Sequence, residues 1–133
     1  MITTKCVNGV LSVGDLVIST QVDEYSCLIG RVMRINLLGS AEHDTENETD
    51  DVHVNFLEFD YSEKRIQEIE EIFSELYGEK KTFDECPLDD VIMPPDNLIL
   101  INHIDEARLK YLLQSGFNAA CFCYGILKEI KGV

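Results

Sequence analysis

Hydrophobic and polar positions change their spacing near residue 61, which divides the chain into a β-rich part and a mainly helical part. Before that point the apolar residues come in short runs separated by turn residues, such as "LVIST" and "SCLIGRVMRINLL". Runs of this kind are typical of strands. The segment "VHVNF" (52–56) alternates, so its valines share one face while His53 lies on the other. We therefore predict β structure over residues 1–60, with the valine face in the core and His53 facing outward.

Three glycines mark the predicted turns of this part. Asn8-Gly9 separates two short apolar runs and predicts a hairpin, since both turn positions of the favoured hairpin turn have positive φ. Gly14-Asp15 predicts a second turn before the strand "LVIST". Gly30 interrupts a long strand and offers no side chain to pack, which indicates a bulge or a sharp bend.

The segment 62–77 carries the clearest helical pattern. Its apolar residues recur every three or four positions: Ile66, Ile69, Ile72, Phe73, Leu76 and Tyr77. Ser62 is a suitable N-cap and Gly78 a suitable stop. The polar positions are acidic, notably at Glu68, Glu71 and Glu75. We predict an amphipathic helix whose outer face is acidic.

The rest of the chain is more strongly interrupted. Prolines at 87, 94 and 95 argue against long regular structure there, although a short helical turn over 87–91 fits. The pattern then predicts a strand over 98–103 and a helix over 105–115. Residues 118–131 are interpreted as a further helix, with a strand left open by β-forming residues and Gly125. No long flexible linker divides the chain, so we expect residues 1–133 to form a single domain.

The pairs Gly14-Asp15-x-Val17 and Gly30-x-Val32 resemble the opening hairpin of SH3-like small β-barrels, including the KOW-type motif of transcription and ribosomal proteins. The resemblance covers about residues 10–60 and implies a small barrel that binds peptides, RNA or protein. The sequence departs from the nucleic-acid-binding members in having only Arg31 and Arg34 as basic residues there, together with an acidic insert.

The predicted fold class is therefore α+β. It combines an N-terminal SH3-like barrel or strongly bent antiparallel sheet with one amphipathic helix and a C-terminal helical pair packed on it. The chain also bears a general resemblance to small uncharacterised proteins carried by mobile elements of Gram-positive bacteria, for which no defining motif is matched. That resemblance implies a bacterial origin.

Charge is the most unusual feature of the composition. The chain of 133 residues has a net charge of −14, and residues 42–106 contain 21 acidic and four basic side chains. Such a segment repels phosphate backbones, because nucleic-acid affinity comes largely from Lys and Arg. Direct nucleic-acid binding is therefore disfavoured. Neither a signal peptide nor an apolar stretch of membrane-spanning length is evident, and five scattered cysteines suggest reduced thiols, so we expect a cytoplasmic protein.

The stretch "EHDTENETDD" (42–51) holds six carboxylates and a histidine. Its acids alternate as calcium ligands do in an EF-hand, but Thr49 stands where a glycine is needed and Asn55 where a bidentate glutamate belongs. The three histidines lack zinc-site spacing. We predict no metal site and no cofactor, and interpret this stretch as a solvated connection or a protein-contact loop.

Catalytic motifs are absent from the sequence. Cys121-x-Cys123 lacks redox or zinc spacing, and on a helix the two thiols would point about 200° apart. One alternative is a small cysteine-dependent enzyme with His103 as its base, if the fold joins them. Another is a nucleic-acid-binding barrel using Arg31 and Arg34.

The favoured function is a non-enzymatic acidic accessory or adaptor protein that binds another protein. One version of it mimics a phosphate backbone and occupies the basic nucleic-acid site of an enzyme. The candidate partner-binding residues lie in the 42–51 stretch, on the acidic helix face and before the proline pair: Glu42, Asp44, Glu46, Glu48, Asp50, Asp51, Glu68, Glu71, Glu75, Ile92 and Met93. For Ile92 and Met93 the favoured alternative is a place in the core, and the acidic helix face could instead pair with the basic C-terminal residues of the same chain.

Overall fold

The computed structural model describes residues 1–21 and 23–101, which form a mixed α+β fold. These residues contain one α-helix, a five-stranded antiparallel sheet and a two-stranded sheet. The strands are β1 (Thr4–Lys5), β2 (Val10–Leu11), β3 (Leu16–Ser19), β4 (Ile29–Asn36), β5 (Asp51–Asn55), β6 (Val91–Met93) and β7 (Leu98–Leu100), and the helix is α1 (Glu63–Tyr77). Short 3₁₀ turns occupy Phe83–Glu85 and Pro95–Asn97.

The five-stranded sheet is open, so the predicted closed barrel is wrong. Its strand order is β6-β5-β4-β3-β7, and every neighbouring pair is antiparallel. A barrel closes only when the first and last strands of the sheet pair with each other. Here β6 and β7 lie at opposite edges instead, and β1 and β2 form a separate hairpin. The coarser prediction of an antiparallel sheet combined with a helix is confirmed.

Gly30 is required by a close approach rather than by a bulge at its own position. A Cβ there would overlap the backbone carbonyl of Asn55 and come within 2.8 Å of the Val54 side chain. The irregularity in the β4–β5 ladder falls slightly later, between Val32 and Arg34. The glycine therefore lets β5 cross close to β4, and the bulge follows where the two strands go out of step.

The first hairpin forms where Asn8-Gly9 predicts it, but its turn differs from the expected type. Neither residue has positive φ, and the turn is closed by a bond from the Cys6 N–H to the Gly9 carbonyl. Asn8 instead directs its side chain to the edge of β7. Its amide donates to the Leu100 carbonyl at 2.9 Å, and its oxygen accepts from the Leu100 N–H at 2.8 Å. The side chain therefore imitates a neighbouring strand at that position.

The helix begins and ends as predicted. The Ser62 hydroxyl accepts a hydrogen bond from the Arg65 N–H, and Gly78 ends the helix in the left-handed conformation with φ 69°. Only Ile69 and Phe73 are fully buried. Three residues of the predicted apolar face are exposed instead: Ile72, Leu76 and Tyr77. The helix therefore buries a narrower stripe against the described core than its sequence pattern suggests.

The region after the helix contains the strand that the sequence pattern missed. Val91–Met93 form β6, which ends at Pro94, and the 3₁₀ turn lies at Phe83–Glu85 rather than over 87–91. Proline is compatible with this arrangement because β6 is an edge strand and Pro94 follows it. The strand predicted over 98–103 is present as Leu98–Leu100. The predicted helices over 105–115 and 118–131 lie outside the described residues.

The core is one continuous cluster to which both α1 and the strands of the sheet contribute. Its largest fully buried side chains include Phe56, Phe73, Leu11, Ile18, Leu28, Ile29, Ile69, Leu88, Met93, Leu98, Ile99 and Ile101. Tyr25 joins the helix to the sheet, since its ring lies 6.1 Å from Phe73 and 6.4 Å from Phe56. None of the helices in the described part of the chain has the length and apolarity needed to cross a membrane.

Candidate partner-binding site

The acidic stretch 42–51 is an ordered loop that its own aspartates hold in place. Asp50 accepts hydrogen bonds from the Leu38 N–H at 2.7 Å and from the Thr4 hydroxyl at 2.6 Å. Asp44 accepts from the Glu46 N–H at 3.0 Å, which forms a local turn. Hydrogen bonds therefore connect the loop to β1, to the segment after β4 and to its own backbone, so the loop has a defined conformation.

Asp51, the first residue of β5, is the buried anchor of this loop and is 2% exposed. It accepts hydrogen bonds from the Asp44 N–H at 2.9 Å and from the Asn47 amide at 2.7 Å. Burial by itself would raise the pKa of Asp51. The two hydrogen bonds, helped by the nearby His43 and His53, outweigh it and hold that pKa below its usual value. The carboxylate is therefore ionised at neutral pH and stabilises the loop in that form.

His43 within the loop and His53 on β5 are both buried. His43 places Nε2 2.6 Å from the Thr49 carbonyl and 3.7 Å from Asp51. The expectation that His53 faces outward into solvent is wrong, because the polar face of β5 is covered at this point. His53 Nδ1 lies 2.7 Å from the Asp90 carboxylate, and its Nε2 lies 3.3 Å from the Asn36 amide.

These contacts give His53 a complete set of partners. A proton on Nδ1 donates to Asp90, and Nε2 then accepts from Asn36. The Arg34 guanidinium lies 3.4 Å from both ring nitrogens, which places it over the ring rather than in its plane. His53 is therefore held as a structural group, and no nucleophilic side chain is hydrogen-bonded to it in the described part of the chain.

The six acids of the loop divide by chemistry into two groups. The three aspartates accept hydrogen bonds from the loop and its neighbours. The glutamates Glu42, Glu46 and Glu48 are exposed, and within residues 1–21 and 23–101 their carboxylates accept no hydrogen bond. Asp44, Asp50 and Asp51 therefore serve mainly to hold the loop, whereas the glutamates carry charge that is available to a partner.

A surface depression lies where this loop meets the end of β6. Its volume is about 290 Å³, and it is lined by residues 46–49 and Asp51 on one side and by Ile92 and Pro94 on the other. Ile92 is 47% exposed although its neighbours in the strand are buried. We call this feature the acidic depression. It brings together two predicted contact segments that are separated by about 40 positions in the sequence.

The remaining predicted contact residues lie elsewhere. Met93 is 1% exposed and belongs to the core. Glu71 and Glu75 are exposed on α1, while Glu68 is paired with Arg65 at 3.2 Å. A second groove of about 400 Å³ runs along α1, between Glu70 and Glu71 on the helix and the two lysines that follow it. This groove shares no lining residue with the acidic depression.

Sequence reasoning did not identify the contact between the loop and β6. The signal for it was weak: "VIM" is a run of only three apolar residues before a proline pair. Once β6 is recognised, its pairing of His53 with Ile92 places Ile92 on the polar face of the sheet, beside the loop. Pairing partners across antiparallel strands share a face, and this decides which side of the sheet Ile92 occupies.

Metal and thiol chemistry receive little support from the described residues. Within residues 1–21 and 23–101, no three His, Cys, Asp or Glu side chains converge to hold a metal ion. Among the described residues, Cys6 and Cys86 are free thiols, and the expectation that all five cysteines are reduced stays a prediction. Burial, with Glu70 and Glu85 nearby, raises the pKa of the Cys86 thiol, which disfavours a nucleophilic thiolate.

The residues of the alternative enzyme, Cys121, Cys123 and His103, lie outside the described part of the chain, so that alternative stays a prediction. Of the two arginines in the alternative nucleic-acid site, Arg34 lies over His53, and Arg31 donates to the Gly14 carbonyl at 3.1 Å. Arg31 also lies 4.0 Å from Glu58. The Glu58 carboxylate offsets part of the positive charge of Arg31, whereas Arg34 stays exposed and keeps its charge.

No protein family model matches this sequence, and no curated protein or solved structure gives a significant match. The resemblances to SH3-like barrels and to proteins of mobile elements therefore stay predictions. Function has to be argued from the residues and their geometry, and the acidic depression is the feature with the most definite chemistry.

Proposed function

We propose that this protein is a non-enzymatic binding module that contacts a basic segment of another protein through the acidic depression. The proposal rests on one observation: Glu46, Glu48 and the exposed side chain of Ile92 line the same depression. The carboxylates of both glutamates have no internal partner in the described structure. The two glutamates and Ile92 are exposed together in one depression, where a partner can contact all three.

The chemistry of the depression fits a lysine or an arginine. The aliphatic stem of such a side chain can pack on Ile92 and Pro94 while its charged end lies near the glutamates. An isolated exposed ion pair contributes at most about 1 kcal/mol, so useful affinity needs several basic residues in the partner. The long-range attraction of a chain with net charge −14 adds to the rate of association.

Mimicry of a phosphate backbone is a specific version of this proposal. In that version the basic segment is the nucleic-acid site of an enzyme, and Glu42, Glu46 and Glu48 take the place of phosphates. The support is that all three are exposed acids within seven residues of one ordered loop. Binding should then weaken steeply with salt and should compete with nucleic acid for the same partner. A cytoplasmic location belongs to this proposal as an expectation.

The proposal is tested with a fluorescent peptide in which lysine and valine alternate, titrated with the protein and followed by anisotropy at low salt. A peptide with glutamate in place of lysine is the charge control. We expect binding of the lysine peptide alone, and a drop of about tenfold in affinity, worth about 1.4 kcal/mol, for the double variant Glu46→Gln/Glu48→Gln.

The matched control removes two charges from the other predicted contact surface, through Glu71→Gln/Glu75→Gln on α1. Both double variants change the net charge equally, so they separate a local site from a general attraction. We expect the α1 variant to retain affinity within about twofold, since the site charges remain. Equal losses in both variants, or a larger loss in the α1 variant, would contradict a binding site at the acidic depression.

A further inference from the structure

The two edges of the five-stranded sheet differ in whether their backbone groups have hydrogen-bond partners. At the β7 edge, Asn8 bonds to both the N–H and the carbonyl of Leu100, and the Val7 N–H donates to the Leu98 carbonyl at 3.3 Å. At the other edge, the backbone of β6 pairs with β5 on its inner side, and its outer side has no backbone partner among residues 1–21 and 23–101. An edge strand left in this state presents N–H and carbonyl groups that can accept another strand.

The exposure of the β6 side chains also supports binding of a partner at this edge. Val91 and Met93 are buried, while Ile92 is exposed and forms a wall of the acidic depression. A segment that paired with β6 would therefore run beside Ile92, and its alternate side chains would reach Glu46 and Glu48. The groups that give affinity to an added strand and the groups that select its side chains lie next to each other.

The acidic residues around β6 determine the charge of the segment that can pair with it. Asp89 and Asp90 precede β6 and both are exposed, and the two glutamates lie beside the strand. A second copy of this chain, with net charge −14, is repelled from such an edge, whereas a basic segment is attracted. The strand is three residues long and Pro94 follows it, so pairing is restricted to a short segment. These features oppose self-association and leave a basic partner as the occupant with complementary charge.

We infer that β6 accepts a short, extended, basic segment of a partner protein as an added antiparallel strand, in keeping with the antiparallel pairing throughout the sheet. This inference rests on the proposed function and adds the mode of binding to it. The backbone of the segment hydrogen-bonds to the outer edge of β6. Its lysine or arginine side chains lie on the Ile92 face of the sheet, with their aliphatic stems against Ile92 and their charged ends toward Glu46 and Glu48, and its apolar side chains lie on the opposite face.

The experiment changes the backbone of the peptide and leaves the protein intact. Two versions of the alternating lysine–valine peptide carry N-methyl groups, one at every odd position and one at every even position. In an added strand, alternate N–H groups point toward the sheet and the others point to solvent. We expect one methylated peptide to lose about tenfold or more in affinity and the other to bind within about threefold of the parent peptide.

The outcomes separate this inference from the function on which it rests. If both methylated peptides bind as the parent does and the Glu46→Gln/Glu48→Gln variant still weakens binding, the proposed function stands and strand addition is wrong. Equal losses for both methylated peptides also overturn strand addition, since only one set of N–H groups can face β6. If the unmodified peptide does not bind, both proposals fail. A difference between the two methylation patterns supports the added strand.

Discussion

Replacing Asp51 with asparagine tests whether the acidic loop is held by a buried carboxylate. The substitution keeps the size of the side chain and one acceptor oxygen but removes the negative charge. Asp51 is 2% exposed and accepts two hydrogen bonds, so the charge is used inside the fold and not at the surface. The result expected is a loss of folding stability at neutral pH that becomes smaller in acid.

The size of the effect follows from the donors. A hydrogen bond to a charged group contributes about 1.5–3 kcal/mol, and a buried donor left without a partner costs about 1–3 kcal/mol. The donors are the Asp44 N–H and the Asn47 side chain, and these residues are exposed or half-buried, so water can replace part of the loss. We therefore expect Asp51→Asn to lower the free energy of unfolding by about 1–2 kcal/mol, and Asp51→Ala by about 2–4 kcal/mol.

The pH dependence has a definite sign. The fold lowers the pKa of Asp51 below its usual value, which is about 3.9 in an unfolded chain. The stability that ionised Asp51 contributes is therefore present above about pH 4 and is lost as the pH falls through its lowered pKa. The difference in free energy of unfolding between the wild-type protein and Asp51→Asn should be largest at neutral pH and should shrink as the pH falls below about 4.

Urea denaturation of the wild-type and variant proteins at several pH values measures both quantities. Glu42→Gln is the matched control, since Glu42 is an exposed acid of the same loop whose carboxylate has no hydrogen bond in the described structure. Its free energy of unfolding should stay within about 0.5 kcal/mol of wild type. If Asp51→Asn behaved as the control does, or its deficit did not change with pH, the role assigned to Asp51 would be refuted.

Three further substitutions in the sheet and at the start of α1 are tested by urea denaturation. Gly30→Ala should cost about 1–3 kcal/mol, because its new methyl group overlaps the Asn55 carbonyl, and a stability close to wild type would contradict that close approach. Tyr61→Phe should cost about 1–3 kcal/mol and speed hydrogen exchange at Ile29, whose N–H and carbonyl both bond to the tyrosine hydroxyl; unchanged exchange at Ile29 would count against it. Ser62→Ala should cost about 1 kcal/mol through loss of the helix cap, while Ser62→Asn should restore most of it.

The local elements were predictable from the sequence because their signals are local. The strand over 52–56 and the helix over 62–77 appear within one residue of the predicted bounds, since alternation and helical periodicity report backbone conformation directly. Sheet closure was not predictable in this way. Whether a sheet closes depends on pairing between strands far apart in the chain, and the glycine signals at Gly14 and Gly30 are compatible with open and closed sheets alike.

The candidate site was predictable only in part. The sequence shows the acids at 42–51 and the apolar residue at 92, but it favours a core position for Ile92 and cannot show that the two segments meet, because that contact depends on the register of β6 against β5. The burial of His53 was missed for a related reason. Alternation within a strand shows which residues share a face, but side chains from other segments, here Arg34, Asn36 and Asp90, decide whether the polar face reaches solvent.

The division of the loop into structural aspartates and free glutamates depends on side-chain length, and a swap that conserves charge tests it. Aspartate is short enough to accept hydrogen bonds from nearby backbone groups, whereas glutamate has one more rotatable bond to order and places its carboxylate farther away. Asp50→Glu should therefore lose the bonds from the Leu38 N–H and the Thr4 hydroxyl and lower stability by about 1–2 kcal/mol, although the net charge is unchanged. The reverse swap, Glu46→Asp, should leave stability within about 0.5 kcal/mol of wild type, because that carboxylate has no partner in the described structure. Equal effects of the two swaps in urea denaturation would mean that the loop responds to charge alone, and the assignment of separate roles to its acids would then be wrong.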